Sequence, residues 1–143
     1  MLLSACTAPS TAPPTETPPS PPPTEQPVPQ SAIDEIYAIC QDETVARCIE
    51  VRKIEDKGDY LHVGINIRYD PEIIAELEDA FIQAEVFTDA VAQDTVKIIN
   101  EHGIDKHVSV WARLPLGDDE VALLGNTWYD ARLKSHNFER YKH

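Results

Sequence analysis

His62, His107 and a surplus of carboxylates are the residues of this chain best equipped for acid–base chemistry. A neutral imidazole can take a proton from water or a hydroxyl, and a carboxylate can orient it. The spacing does not commit them to that work. The chain has no G-x-S-x-G elbow, no phosphate-cradling glycine loop and no H-E-x-x-H helix. Glu101, His102, Asp105 and His107 gather metal-capable side chains in a short stretch. Zinc needs about four ligands held tetrahedrally, and this spacing matches no zinc motif. A polar helix-to-strand connection accounts for it. Asp118-Asp119-Glu120 lacks the further oxygen ligands of a calcium loop and reads as a solvated turn. No catalytic residue, metal or cofactor is expected.

Recognition without reaction has a clearer basis. Leu61, Val63, Ile65, Ile67 and Tyr69 alternate with Tyr60, His62, Gly64, Asn66 and Arg68. A period of two places one set on the core face of a strand and the other opposite. From His107 to Leu116 the pattern repeats, with Val108, Val110, Ala112 and Leu114 inward. If helices cover the apolar face, the other presents Tyr60, His62, Asn66 and Arg68 beside His107, Ser109, Trp111 and Arg113. Trp128 joins them if the fourth strand has the right phase. Aromatics with Arg, His and Asn can stack on and hydrogen-bond a sugar, a peptide or a protein. The competing account is a solvated sheet face, or a Trp covered by the C-terminal tail.

The elements that must position these residues follow from patterning. Ser31-Ala32-Ile33-Asp34 reads as a capping box opening a short helix, with Ile33, Ile36, Tyr37 and Cys40 on one side. Arg47 to Glu55 and Tyr60 to Tyr69 form an antiparallel hairpin around Asp56-Lys57-Gly58-Asp59. Asp70-Pro71-Glu72 starts a long helix, which Gly103 stops. A break at Phe87-Thr88-Asp89 would let Thr88 cap a second segment. Strands over His107–Leu116 and Val121–Tyr129 follow. Asp130 to Lys134 then reads as a helical turn and the rest as a packed tail. The order α-ββ-α-ββ implies a two-layer α+β fold, a four-stranded antiparallel sheet packed on one main helix.

Composition divides the chain. Ten of the twelve prolines precede residue 31, and Val28 is the one large apolar residue between Ala8 and Gln30. Such a segment cannot bury enough surface to offset its ordering entropy. It reads as a polyproline-II-like spacer reaching about 75 Å. Residues 31–143 make one domain. They hold all twelve Lys and Arg residues and 23 of the 25 acids, a net charge of −11. That excludes nucleic acid, where cations must replace counterions along the phosphates. It also excludes electrostatic adhesion to anionic lipid.

Leu3-Ser4-Ala5-Cys6, followed by a Pro/Thr-rich stretch, resembles the lipobox of bacterial lipoproteins. The resemblance implies cleavage before Cys6 and lipid on its sulfur. Residues 1–5 are then the remnant of a signal peptide that starts upstream, and 6–30 are the attachment cysteine and its tether. It also implies a bacterial, extracytoplasmic location and a membrane partner held through Cys6. Cys40 and Cys48 remain, an even pair with the wrong gap for a CxxC motif. In an oxidising compartment a disulfide is expected, constraining the unfolded chain by about 2–3 kcal/mol.

The expectation is a lipid-anchored, non-enzymatic binding or accessory module of the cell envelope, with a protein, peptide or glycan partner. A small hydrolase or metal-dependent enzyme using His62 and His107 is the second reading. A structural subunit of an envelope complex, with Trp111 against a neighbour, is the third.

Overall fold

Gln30–Tyr37 forms α1, and a short 3-10 helix follows at Ile39–Gln41. Then come β1 (Cys48–Asp56), β2 (Tyr60–Ile67), α2 (Leu77–Glu101), β3 (His107–Pro115), β4 (Val121–Asp130) and β5 (Ser135–Arg140). The structure is a computed structural model describing residues 26–41, 48–68 and 76–142. The lipobox-like stretch, the tether as far as Glu25 and the Asp70-Pro71-Glu72 helix start lie outside the described residues.

The fold is α+β, with helices packed on a sheet, but the sheet differs from the sequence expectation in two ways. It has five strands in the order β1-β2-β3-β4-β5, and its central pair β2–β3 is parallel. The parallel pairing follows from α2. Its 25 residues run about 37 Å at 1.5 Å per residue, long enough to carry the chain back to the end where β2 began. The other three pairs are antiparallel.

The fifth strand replaces the expected tail. Asp130 Oδ1 accepts the N–H groups of Arg132 at 2.8 Å and Leu133 at 3.2 Å, and Lys134 turns the chain at φ 52°. The Ser-His-Asn-Phe-Glu-Arg stretch carries one large apolar residue, so it has no visible alternation. Long-range contacts order it. His136 packs on Tyr129, and Arg140 grips Glu78 of α2 through both carboxylate oxygens and lies 4.8 Å over the Phe81 ring.

α2 runs unbroken through Phe87-Thr88-Asp89, where the sequence left a break open. Ala80, Ala84, Thr88, Val91, Ala92, Thr95 and Ile99 are buried along one face, against Val63, Val110 and Leu124 among others in one core. Thr88 is therefore no cap. Its hydroxyl donates to the Ala84 carbonyl at 2.7 Å, within the helix. At the other end the expected stop is in place. Gly103 takes φ 80°, and the Ile104 N–H reaches back to the Ile99 carbonyl at 2.9 Å.

The N-terminal boundary also moves. Val28, read as tether, is 7% exposed, and its N–H donates to Asp56 Oδ2 at 3.0 Å. α1 starts at Gln30 behind Pro29 and has no side-chain cap, because Ser31 falls inside its first turn. Gln30 Nε2 instead donates to Asp34 Oδ1 at 2.9 Å. Cys40 is disulfide-bonded; the side chain of Cys48 lies outside the described residues.

Candidate functional site: the outer sheet face

α1 and α2 contact each other and lie on the same side of the sheet. Among the described residues no helix covers the opposite side. Register then fixes what that side displays. His62 pairs with Ser109, which pairs with Trp128. Gly64 pairs with Trp111, which pairs with Asn126. Asn66 pairs with Arg113, and Tyr60 with His107. Tyr60, His62, Asn66, His107, Trp111 and Arg113 are thus brought onto one face, as alternation predicts. Arg68 sits one residue beyond the end of β2 and is exposed.

Trp128 reaches this face through a bulge. Ala112 pairs with Gly125 and Arg113 with Leu123, so Leu124 is an extra residue in β4. Leu124 drops into the core, fully buried. The bulge shifts the phase of the strand beyond it, so Thr127 faces α2 and Trp128 faces out. Gly125 makes this possible. It takes φ 151°, and a Cβ there would lie against the Glu139 carbonyl oxygen and 2.9 Å from Phe138 Cζ.

The aromatic residues fall into two neighbouring groups. Trp128 stacks on His107 at 5.2 Å between ring centroids and tilts against Tyr60 at 5.7 Å. Trp111 meets Tyr141 edge to face at 6.4 Å. The place of Tyr141 here follows from β5, whose pairing continues into the Tyr141 N–H to Leu124 carbonyl bond at 3.0 Å. Trp111 and Trp128 are diagonal neighbours on adjacent strands, about 7–8 Å apart between backbones. Ser109 and Asn126 lie between them, joined by a 3.1 Å bond from Asn126 Nδ2 to Ser109 Oγ.

His107 Nδ1 accepts the Ala131 N–H at 2.9 Å, so in the neutral ring the proton belongs on Nε2. Burial pulls the pKa of His62 below its usual 6.5; Glu55 opposes the shift and Lys53, Lys57 and Arg52 reinforce it. Asn66 Nδ2 donates to Glu50 Oε1 at 2.8 Å.

The other sequence candidates are drawn apart. His102 Nε2 lies 2.6 Å from Glu35 Oε2 of α1, and Asp105 lies 4.0 Å from Lys134. Among the described residues no three His, Cys, Asp or Glu side chains are placed to hold a metal ion. A second concavity, unforeseen from the sequence, lies between α2 and β5. It encloses about 530 Å³ and is lined by Ile82, Glu85, Val86, Asp89, Thr127, His136 and Phe138. Finding it required β5; its one sequence signal is Ile82 and Val86, two apolar residues one turn apart on the polar side of α2.

Fold and site together define a small α+β domain with a helix-backed mixed sheet and an aromatic-bearing face that no described helix covers. No protein-family model matches the chain, and no curated protein or solved structure does either. Among the described residues no helix is long and apolar enough to cross a membrane.

Proposed function

We propose that the chain is a lipid-anchored, extracytoplasmic binding or accessory module of a bacterial cell envelope, and that the outer sheet face is its contact surface. The anchor rests on Leu3-Ser4-Ala5-Cys6 and the Pro/Thr-rich stretch after it. The observation that carries the recognition half is the grouping of Tyr60, Trp128, Trp111 and Tyr141 on a face that no described helix covers. Flat aromatic platforms separated by Ser, Asn and His suit a partner that presents ring faces and hydroxyl or amide groups. Cys40 and Cys48 are read as one disulfide pinning α1 to the start of β1.

Intact mass of the native protein, reduced and unreduced, tests the anchor and the disulfide. Diacylglycerol on Cys6 and a gain of two hydrogens on reduction are expected. An unmodified Cys6 in cells carrying the full upstream gene removes the basis for the location. Sedimentation of the full-length Cys6→Ser chain, which cannot carry lipid, with isolated envelope material tests the face. In that background Trp111→Ala is expected to abolish co-sedimentation while leaving the melting temperature nearly unchanged. A self-associating chain whose dimer is lost in the same variant would favour the structural subunit. Hydrolysis lost on His62→Gln would favour the enzyme.

A further inference from the structure

The outer face holds an unusual electrostatic feature for so acidic a domain. Arg52, Arg68 and Arg113 form no ion pair among the described residues. Lys97, Arg132 and Lys142 likewise form no ion pair among the described residues, but they do not gather at one place on the sheet, and the other described cations are matched. Arg140 holds Glu78, Lys106 holds Asp56, and Lys53 and Lys57 share Glu55. These three arginines, unpaired among the described residues, fall near one register position of the sheet. Arg113 pairs in register with Asn66, Arg68 follows two residues after Asn66, and an Arg52 guanidinium nitrogen reaches over Gly64, the partner of Trp111.

The same spot holds two unsatisfied polar atoms of opposite kind. Asn66 is 9% exposed, and its Oδ1 is buried without a donor among the described residues. Arg113 Nε is buried without an acceptor. A buried polar atom left unpaired costs about 1–3 kcal/mol. Two on adjacent strands at one register position are a cost that a ligand can remove. One supplies a place for an O–H or N–H, the other for a negatively charged oxygen. Trp111, half-buried beside them, supplies an apolar plane.

We infer that this spot binds a carboxylate-bearing saccharide. A sugar acid answers all three demands: ring C–H bonds for Trp111, a hydroxyl proton for Asn66 Oδ1, and a carboxylate for Arg113. Glu50, paired with Asn66 and bonded to its Nδ2 at 2.8 Å, puts one negative charge here, and Arg52, Arg68 and Arg113 outnumber it, leaving the balance of these four residues positive for further acidic residues of the same strand. Both orphan atoms are closed off from solvent, so a ligand reaches them only once the side chains over them move aside. The inference rests on the outer face being the contact surface and specifies its ligand.

The test is titration of the full chain with an oligogalacturonate, followed by tryptophan fluorescence and calorimetry. A neutral oligosaccharide of equal length and an oligoglutamate serve as comparisons. The acidic sugar is expected to bind, with the two comparisons at least about tenfold weaker, the loss expected for a missing charge-assisted bond or a missing ring. Arg113→Gln and Trp111→Ala should each weaken binding about tenfold or more, and Arg113→Lys should restore part of it. Melting curves of each variant separate lost binding from lost fold. Equal binding of the neutral sugar overturns the role of the arginines. Equal binding of oligoglutamate overturns the saccharide. In both cases retained dependence on Trp111 leaves the outer face standing as the contact surface. No binding of any probe overturns the inference, and the envelope sedimentation experiment decides separately whether the face itself is wrong.

Discussion

The hydroxyls of Thr88 on α2 and Thr127 on β4 lie 2.6 Å apart in the core, where both residues are buried. This bond fixes which side of β4 meets the helix, and so fixes that Trp128 points the other way. Thr88 donates its proton to the Ala84 carbonyl, so Thr127 is the donor to Thr88.

Removing either hydroxyl alone should cost more than removing both. Thr127→Val leaves a Thr88 lone pair unfilled in an apolar setting. Thr88→Val leaves the Thr127 proton without an acceptor, a loss of about 1–3 kcal/mol. The double variant should recover part of that, and a denaturant double-mutant cycle reads the coupling directly. Additive losses would show that the two residues act independently.

Gly125→Ala should destabilise the domain by more than about 1 kcal/mol, because the new methyl meets backbone across β5. Hydrogen exchange should accelerate in β5 before β2. The Trp128 fluorescence should change as β4 shifts phase. An unperturbed spectrum with unchanged stability would contradict the bulge.

Lys106 is fully buried, and its Nζ donates to Asp56 Oδ1 and the Gly58 carbonyl, each at 3.0 Å. Asp56→Asn removes the counter-charge of that buried cation, a loss of up to about 3–5 kcal/mol. Adding Lys106→Met to the same chain should return much of it, since an apolar side chain needs no partner there. The experiment is a pair of denaturation curves. A single variant as stable as the parent would mean that the ammonium finds another acceptor.

Acid sensitivity follows from the same carboxylate. Burial pushes the pKa of Asp56 up, but the N–H groups of Val28 and Gly58 and the Lys106 ammonium outweigh it and hold the group below its usual 3.8. The folded chain therefore binds that proton less readily than the unfolded one. The stabilisation is complete above the usual value and is lost as pH falls through and below it. His62 adds an earlier loss, because its lowered pKa favours the unfolded chain as pH drops below about 6.5. Melting temperature against pH should fall in two stages on acidification. His62→Gln should flatten the first stage only.

Much of this architecture was legible in the residues themselves. Leu61, Val63, Ile65 and Ile67, and then Val108, Val110, Ala112 and Leu114, declare a buried strand face by strict alternation, and all eight are buried. Gly103 declares the end of α2 because only a residue tolerant of φ 80° closes the helix there. Local periodicity and local backbone preference act within a few residues, so the chain states them openly.

Pairing partners, strand phase and charge matching are set by residues far apart in the chain, and only folding decided them. The parallel β2–β3 pair depends on the span of α2. β5 has too few apolar residues to announce itself and is ordered by Tyr129, Phe81 and Glu78. Unbroken alternation from Val121 would have turned Trp128 inward. One extra residue at Leu124, packed into the core, turned it out and set the aromatic face beside Asn66 and Arg113.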